Sequence, residues 1–221
     1  MANLSKFKLA WGVTAATLVA SVIGHMTLGD VTEIPVHWNM EGEVDGTASP
    51  LMALGFMPVM QVVIIFLFSM LSFIEPRKAN IENSAKAISA TVTATVVLLS
   101  AVQAGIIFEA HGTHVMNTTA ITVALGLLLA VVGNYLSKLR SSFFVGFRTP
   151  WTLSSDVVWQ KTHRLAGKLF VAAGMTSIVA ALLAPADIAL KTMMCMIVIA
   201  TLVPAVYSWA VWRQETQGGT K

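Results

Sequence analysis

Four of the five histidines in this 221-residue chain, His25, His37, His111 and His114, lie among or beside the acids Asp30, Glu33, Glu41, Glu43, Asp45 and Glu109. Imidazoles with a carboxylate can close a shell around zinc or another divalent ion. The H-x-x-H of His111 and His114 falls in a short loop, without the helical spacing of H-E-x-x-H or a partner to orient the rings, and no metal is assigned to it. Glu41, Glu43, Asp45 and Gly46 imitate the opening of a calcium loop, but Met52 stands where the bidentate glutamate belongs, so Asp45-Gly46 reads as a turn. Glu109 sits at the edge of an apolar stretch, where a carboxyl could carry a proton. Arg148 and His163 flank a second cluster. Catalysis there would need a nucleophile, a base and an oxyanion site, and only the base is evident. Thr149 and Ser154 stand in no nucleophile motif, so neither an enzyme nor a cofactor is expected. Arg148 reads as a donor to loop carbonyls or lipid phosphate, Thr149-Pro150 as a turn, and Trp151 and Trp159 as interface seats.

These residues need elements to hold them, and composition says which. The chain is 56% hydrophobic and 11% charged, with a mean hydropathy of +0.74. Soluble domains carry about 25% charged residues, so a water-soluble globule is excluded and an integral membrane protein remains. Six windows of roughly 20 apolar residues can each cross a bilayer, over 9 to 28, 52 to 74, 87 to 108, 118 to 137, 165 to 184 and 190 to 212. The first is too long for a secretory apolar region and lacks a cleavage site, so it reads as a retained span. The Ala184-Pro185-Ala186-Asp187 turn joins the last two as a tight hairpin. Gln61, Gln103 and Asn134 read as hydrogen-bonding between helices, and Cys195 as a small core residue.

Orientation follows from the basic residues. With the N-terminus inside, all of the 14 lysines and arginines except Lys191 fall on the inner side, while the first outer loop holds five acids and no base. The expectation is N-in, C-in. The net charge of +3 then reflects topology and anionic lipid rather than nucleic acid, for which no basic groove with interleaved aromatics is present.

Two loops are more than connectors. The outer loop 29 to 50 alternates from Ile34 to Asn39 and carries turn signals, which predicts a small hairpin or ordered cap with Trp38 at the headgroup layer. The inner loop 138 to 164 opens on a turn-like G-F-R-T-P-W-T and becomes helical, with Ser154 or Ser155 as cap. Lys161, Arg164 and Lys168 share one face of that helix, which predicts an interfacial helix from about 154 to 164.

Outer I-P-V-H-W-N-M-E-G-E-V-D-G and inner G-F-R-T-P-W-T-L-S-S-D-V-V-W-Q-K-T-H-R-L-A-G-K together resemble the SdpI family of bacterial membrane proteins, the outer motif resembling the associated DUF1648 domain. The resemblance maps the outer motif onto Pro35, His37, Trp38, Asn39, Gly42, Asp45 and Gly46. It maps the inner motif onto Gly146, Arg148, Thr149, Pro150, Trp151, Thr152, Leu153, Trp159, Thr162, His163 and Gly167. It implies protection of the bacterial plasma membrane against a secreted peptide toxin and capture of a cytoplasmic transcriptional repressor. The expectation is one all-α, six-span domain over 1-221, non-enzymatic, in contact with membrane lipids, that binds a toxin at its outer face. The alternative is a small transporter or channel using polar residues within the bundle.

Overall fold

The computed structural model describes residues 4–39 and 43–218. After a 3-10 turn (Leu4–Phe7), helix α1 (Lys8–Thr27) leads to a hairpin of β1 (Ile34–Trp38) and β2 (Val44–Ala48). Then come α2 (Pro50–Ile74), the short α3 (Lys78–Asn83), α4 (Ala85–Ala110), α5 (Thr118–Leu136), the single-turn α6 (Pro150–Ser154), α7 (Asp156–Leu183) and α8 (Ala186–Gly218). Six of these, α1, α2, α4, α5, α7 and α8, are long and apolar enough to cross a membrane. The side chains are sorted for lipid rather than water. Leu18, Val22, Phe66, Leu67, Val198 and Leu202 face outward, while Thr14, Thr17, Ser21, Gln61, Thr122, Ser177 and Ser208 are buried.

The spans form two groups of three, α1–α2–α4 and α5–α7–α8, joined where α4 meets α5. Helices α1 and α4 run parallel in a fixed register: the Ser89 hydroxyl donates to Lys6 O (2.6 Å), Thr17 Oγ1 meets Ser100 Oγ (2.7 Å), and Thr27 Oγ1 meets His111 Nε2 (2.9 Å). The closest backbone approach is between α5 and α7, where Gly126 and Gly133 face Gly174 and Gly167. A Cβ on Gly133 would stand 2.6 Å from Val171 N and 2.8 Å from Gly167 O. Only hydrogen fits between these backbones, as is common where spanning helices pack without a hydrophobic drive.

The cap is a two-stranded antiparallel hairpin, with Ile34 opposite Ala48, Pro35 opposite Thr47, His37 opposite Gly46 and Trp38 opposite Val44. Strand alternation puts Ile34, Val36 and Trp38 on one face, against a small apolar cluster of Leu28, Ala53, Leu54 and Ile106, and the register shifts between Pro35 and Trp38. The hairpin is therefore seated on the ends of α1, α2 and α4.

Hydropathy placed the spans well except the fifth. Ser155 caps α7 by accepting from Val158 N (3.3 Å), and nothing interrupts the helix before Ala184. The stretch expected as an interfacial helix is thus the opening of α7 itself, continuous with the span. Lys161, Arg164 and Lys168 are exposed along it. Cys195 is not in the core: it lies exposed on α8, on a face that α5, α6 and α7 leave uncovered. Asn134 is likewise exposed rather than bridging helices.

Because the α5–α7 contact is backbone on backbone, Gly133→Val or Gly174→Val should lower the thermal midpoint in detergent by more than the overpacking cost of about 1–3 kcal/mol usually implies. Gly12→Ala and Gly55→Ala, with open space at the added methyl, should leave it unchanged; differential scanning fluorimetry decides.

Candidate functional site

At the hairpin end, His37 and Asp45 stand across the strands, and Nδ1 meets Oδ1 at 2.5 Å on an exposed face. Gly46 fits closely there, since a Cβ on it would lie 3.0 Å from His37 Cβ. The hairpin is closed by Asn39, whose N–H donates to Glu43 O (2.9 Å) and whose Oδ1 accepts from Glu43 N (2.8 Å). Gly42, expected in the site, lies outside the described residues, as does Glu41. Pro35 and Trp38 are half-buried, and Trp38 packs against the apolar cluster beneath the hairpin. Asp30, Glu33, Glu43 and Asp45 are all exposed, so this surface is acidic.

The histidine-rich loop beside it is a structural clasp. Both Glu109 oxygens are committed: Oε1 accepts from Val115 N (2.7 Å) and Met116 N (2.8 Å), and Oε2 meets His114 Nδ1 (2.8 Å). Glu109 thus holds the α4–α5 loop, a different task from the proton carrier its position suggested. His111 is taken by Ile107 O and Thr27, and among the described residues no three His, Cys, Asp or Glu side chains converge as a metal site. Asn117 caps α5 by accepting from Ala120 N (2.8 Å).

At the opposite end, loop 137 to 149 is folded around buried polar groups. Glu75, 1% exposed, caps α2 and accepts from Arg77 N (3.0 Å), Ser142 Oγ (2.7 Å) and Phe143 N (3.0 Å). Burial pushes its carboxyl up. Hydrogen bonds from Ser142 and from the N–H groups of Arg77, Phe143 and Phe144 act against burial and prevail, so it lies below the ordinary value. Arg77 donates to Ser141 Oγ and to Leu153 O (3.0 Å), with its guanidinium 4.7 Å from the centre of the Phe143 ring. Asn80 donates to Ser141 O (2.8 Å).

The inner-motif residues hold the other side of the loop. His163, fully buried, accepts from Phe147 N at Nε2 (2.9 Å), which leaves the proton on Nδ1 facing Trp159 O (2.9 Å). Trp159 stacks on its ring at 4.0 Å and donates from Nε1 to Leu139 O (2.9 Å). Gly146, at φ +106°, lies against His163 Nε2, and a Cβ there would also stand 3.1 Å from the Trp159 ring. Thr149 and Thr152 form a capping box on α6: Thr149 N donates to Thr152 Oγ1 (2.9 Å), Thr152 N donates to Thr149 Oγ1 (3.2 Å), and Thr149 Oγ1 also meets Ser208 of α8 (2.9 Å). Pro150 fills the first turn of α6. Arg148 is exposed and donates to Phe143 O (3.2 Å), as its loop-carbonyl reading anticipated.

Trp159 corrects the interface expectation: it is 1% exposed and belongs to the core. Thr162 is fully buried with no partner for its hydroxyl. Glu75, Arg77, Asn80, Ser141 and Ser142 were missed by motif reading. Their signal was the E-P-R-K run closing the second span, an acid amid bases just where a span ends. Chemically the arrangement is a lock: both nitrogens of His163 are occupied, Thr149 is tied to Thr152 and Ser208, and Ser154 bonds back to Trp151 O (2.9 Å).

This locked segment is also where the chain matches known proteins. Residues 138–208 match the SdpI/YfhL protein family. Residues 12–62, spanning most of α1, the hairpin and the first half of α2, match DUF1648, a domain of unknown function. Over 162 residues the chain is 26% identical to "Immunity protein SdpI" of Bacillus subtilis (strain 168), which covers 73% of this chain and 74% of that protein. No solved structure matches. With its six apolar helices, the chain is a multi-pass protein of the bacterial plasma membrane. The DUF1648 match carries the hairpin end and the SdpI region carries the lock, one built site in each.

The sign for Glu75 follows from its lowered value: its contribution is complete above the unfolded carboxyl pKa of about 4.3 and is lost as pH falls through the folded value. Hydrogen–deuterium protection at Phe143 and Arg77 amides should therefore hold at neutral pH and collapse under acid. Glu75→Gln should show weak protection already at neutral pH, with no acid transition.

Proposed function

We propose that this chain is a non-enzymatic immunity protein that meets a secreted peptide toxin at the hairpin. The supporting observation is the similarity to an immunity protein over most of both chains, and the hairpin's chemistry agrees with it. Four exposed carboxylates and the His37–Asp45 pair give a rigid acidic face, suited to a cationic or amphipathic peptide, for which complementary charge raises encounter rate and selectivity. This reading places the hairpin outside and both termini inside, as the distribution of basic residues favours. The family resemblance extends the proposal to a relay, in which the lock around His163 and Arg148 is the port for a cytoplasmic repressor.

A second reading, transport, draws on one observation. Inside the α1–α2–α4 group, Thr17 and Gln61 both bond to Ser100, while among the described residues fully buried Gln103 has no partner for either amide atom and Ser21 none for its hydroxyl. Unpaired amides at membrane depth commonly line a polar path.

Trp38 supports the hairpin from below, so the cleaner test of recognition is His37→Ala with Asp45→Ala. In cells challenged with the toxic peptide, this pair should lose protection at unchanged membrane levels, and full protection would remove the hairpin from the mechanism. In liposomes, a proton or ion flux abolished by Gln103→Leu would favour transport over binding; no flux above empty vesicles is expected.

A further inference from the structure

Helices α4 and α5 join the two groups, and small residues leave the seam between them open. At the loop end a cleft of about 920 Å³ runs between α4, α5 and the start of the chain. A second, apolar hollow of about 180 Å³ continues it, with Ala94, Leu127 and Val131 lining both. The two are one groove, walled on α4 by Ala90, Ala94 and Ala101. From Lys86 to Ala101 the helix rises about 22 Å at 1.5 Å per residue, more than the roughly 15 Å of one leaflet's hydrocarbon.

Charge is confined to one end. Lys6 and Lys86 line the mouth with Ser89 and Asn134, and no acid lines either part of the groove. Lys6 is fixed there because its carbonyl accepts the Ser89 hydroxyl at 2.6 Å. Tyr135, also in the lining, carries Lys138 Nζ 4.4 Å from its ring centre, adding a third cation beside the mouth. None of these three ammonium groups has a carboxylate within ion-pair distance among the described residues.

We propose that this groove is a site for one anionic diacyl phospholipid, with its phosphate between Lys6 and Lys86 and an acyl chain along α4 and α5. Charge complementarity selects this occupant: cations without local counterions stand at headgroup level, and below them the walls are hydrocarbon apart from the Thr93 hydroxyl. A lipid chain fills the seam that side chains leave open, and an anionic phosphate neutralises the mouth. The site is independent of what the hairpin recognises.

Native mass spectrometry of the full chain in detergent tests this, with added phosphatidylglycerol against phosphatidylcholine of the same acyl chains. The wild type should retain one phosphatidylglycerol in preference. Lys6→Ala with Lys86→Ala should weaken it about 30-fold, given the usual contribution of two basic residues at an anionic surface. Ala94→Phe keeps every charge but fills the groove and should also displace the lipid, with Ala124→Phe as a second filler if the first disturbs folding. Arg164→Ala with Lys168→Ala removes equal charge from the other flank of α5 and should leave binding intact. Equal retention of both lipids, undisturbed binding in the folded fillers, or an equal loss in the Arg164/Lys168 variant would each overturn the proposal.

Discussion

Backbone N–H groups that water cannot reach must find acceptors inside the protein, and this constraint organises both ends of the bundle. Within the spans the helices meet it themselves, and hydroxyls such as those of Ser69, Thr95, Thr122 and Ser177 fold back on the carbonyl four residues earlier. Loops have no such ladder. Here one buried carboxylate serves each end, Glu109 for the α4–α5 loop and Glu75 for the loop after α5. Each sits at the C-terminal end of a span, where the helix dipole disfavours an anion. The loop N–H bonds outweigh that cost, so removing either loop's shape would strand an acid.

The loop held by Glu75 also spans the two helix groups. Its first half, Ser141 to Phe143, is bonded to Glu75, Arg77 and Asn80 at the base of α2 and in α3. Its second half, Phe147 to Thr152, is bonded to His163 of α7 and Ser208 of α8. Between the groups, the contact of α4 with α5 is small side chains beside an open groove, whereas α5 on α7 is backbone on backbone. Stiffness therefore lies within the second group and compliance at the seam. A displacement of one group against the other alters the gap that this loop bridges, which gives the family's inner motif a mechanical reason for its dense bonding.

The spans were legible because hydropathy over 20 residues is a property of the segment alone. The hairpin was legible from alternation between turn signals, and the α7 cap from the Ser154-Ser155 pair, whereas Thr149 read only as part of a turn. Direction was harder, because it depends on neighbours. Trp159 has the composition of an interfacial anchor, but its face of α7 meets Leu139 and His163 instead of lipid. Cys195 and Asn134 failed in the opposite sense, on faces no helix covers. Gln61 bonds across to α4 as expected, while Gln103, one turn above Ser100, has no partner; an identical side chain gave no means of telling them apart. Glu75 escaped notice because two of its partners, Ser142 and Phe143, lie more than sixty residues away.

The unpaired amide of Gln103 bears on how recognition and barrier coexist. A buried carboxamide without a hydrogen bond costs several kcal/mol, and Ser21, held near the same height by the parallel register of α1 and α4, is unpaired too. Such a track is tolerable only if it is closed off or hydrated. Toward the hairpin it is closed: Ile106 and Leu54 are buried above it beneath Ile34, and Ile107 packs against Gly24 so tightly that a Cβ there would come within 3.2 Å. The hairpin thus rests on an apolar plug, not on a pore mouth. If the hairpin meets a peptide as proposed, that plug would keep it away from the polar interior, so binding at the cap would leave the membrane seal intact.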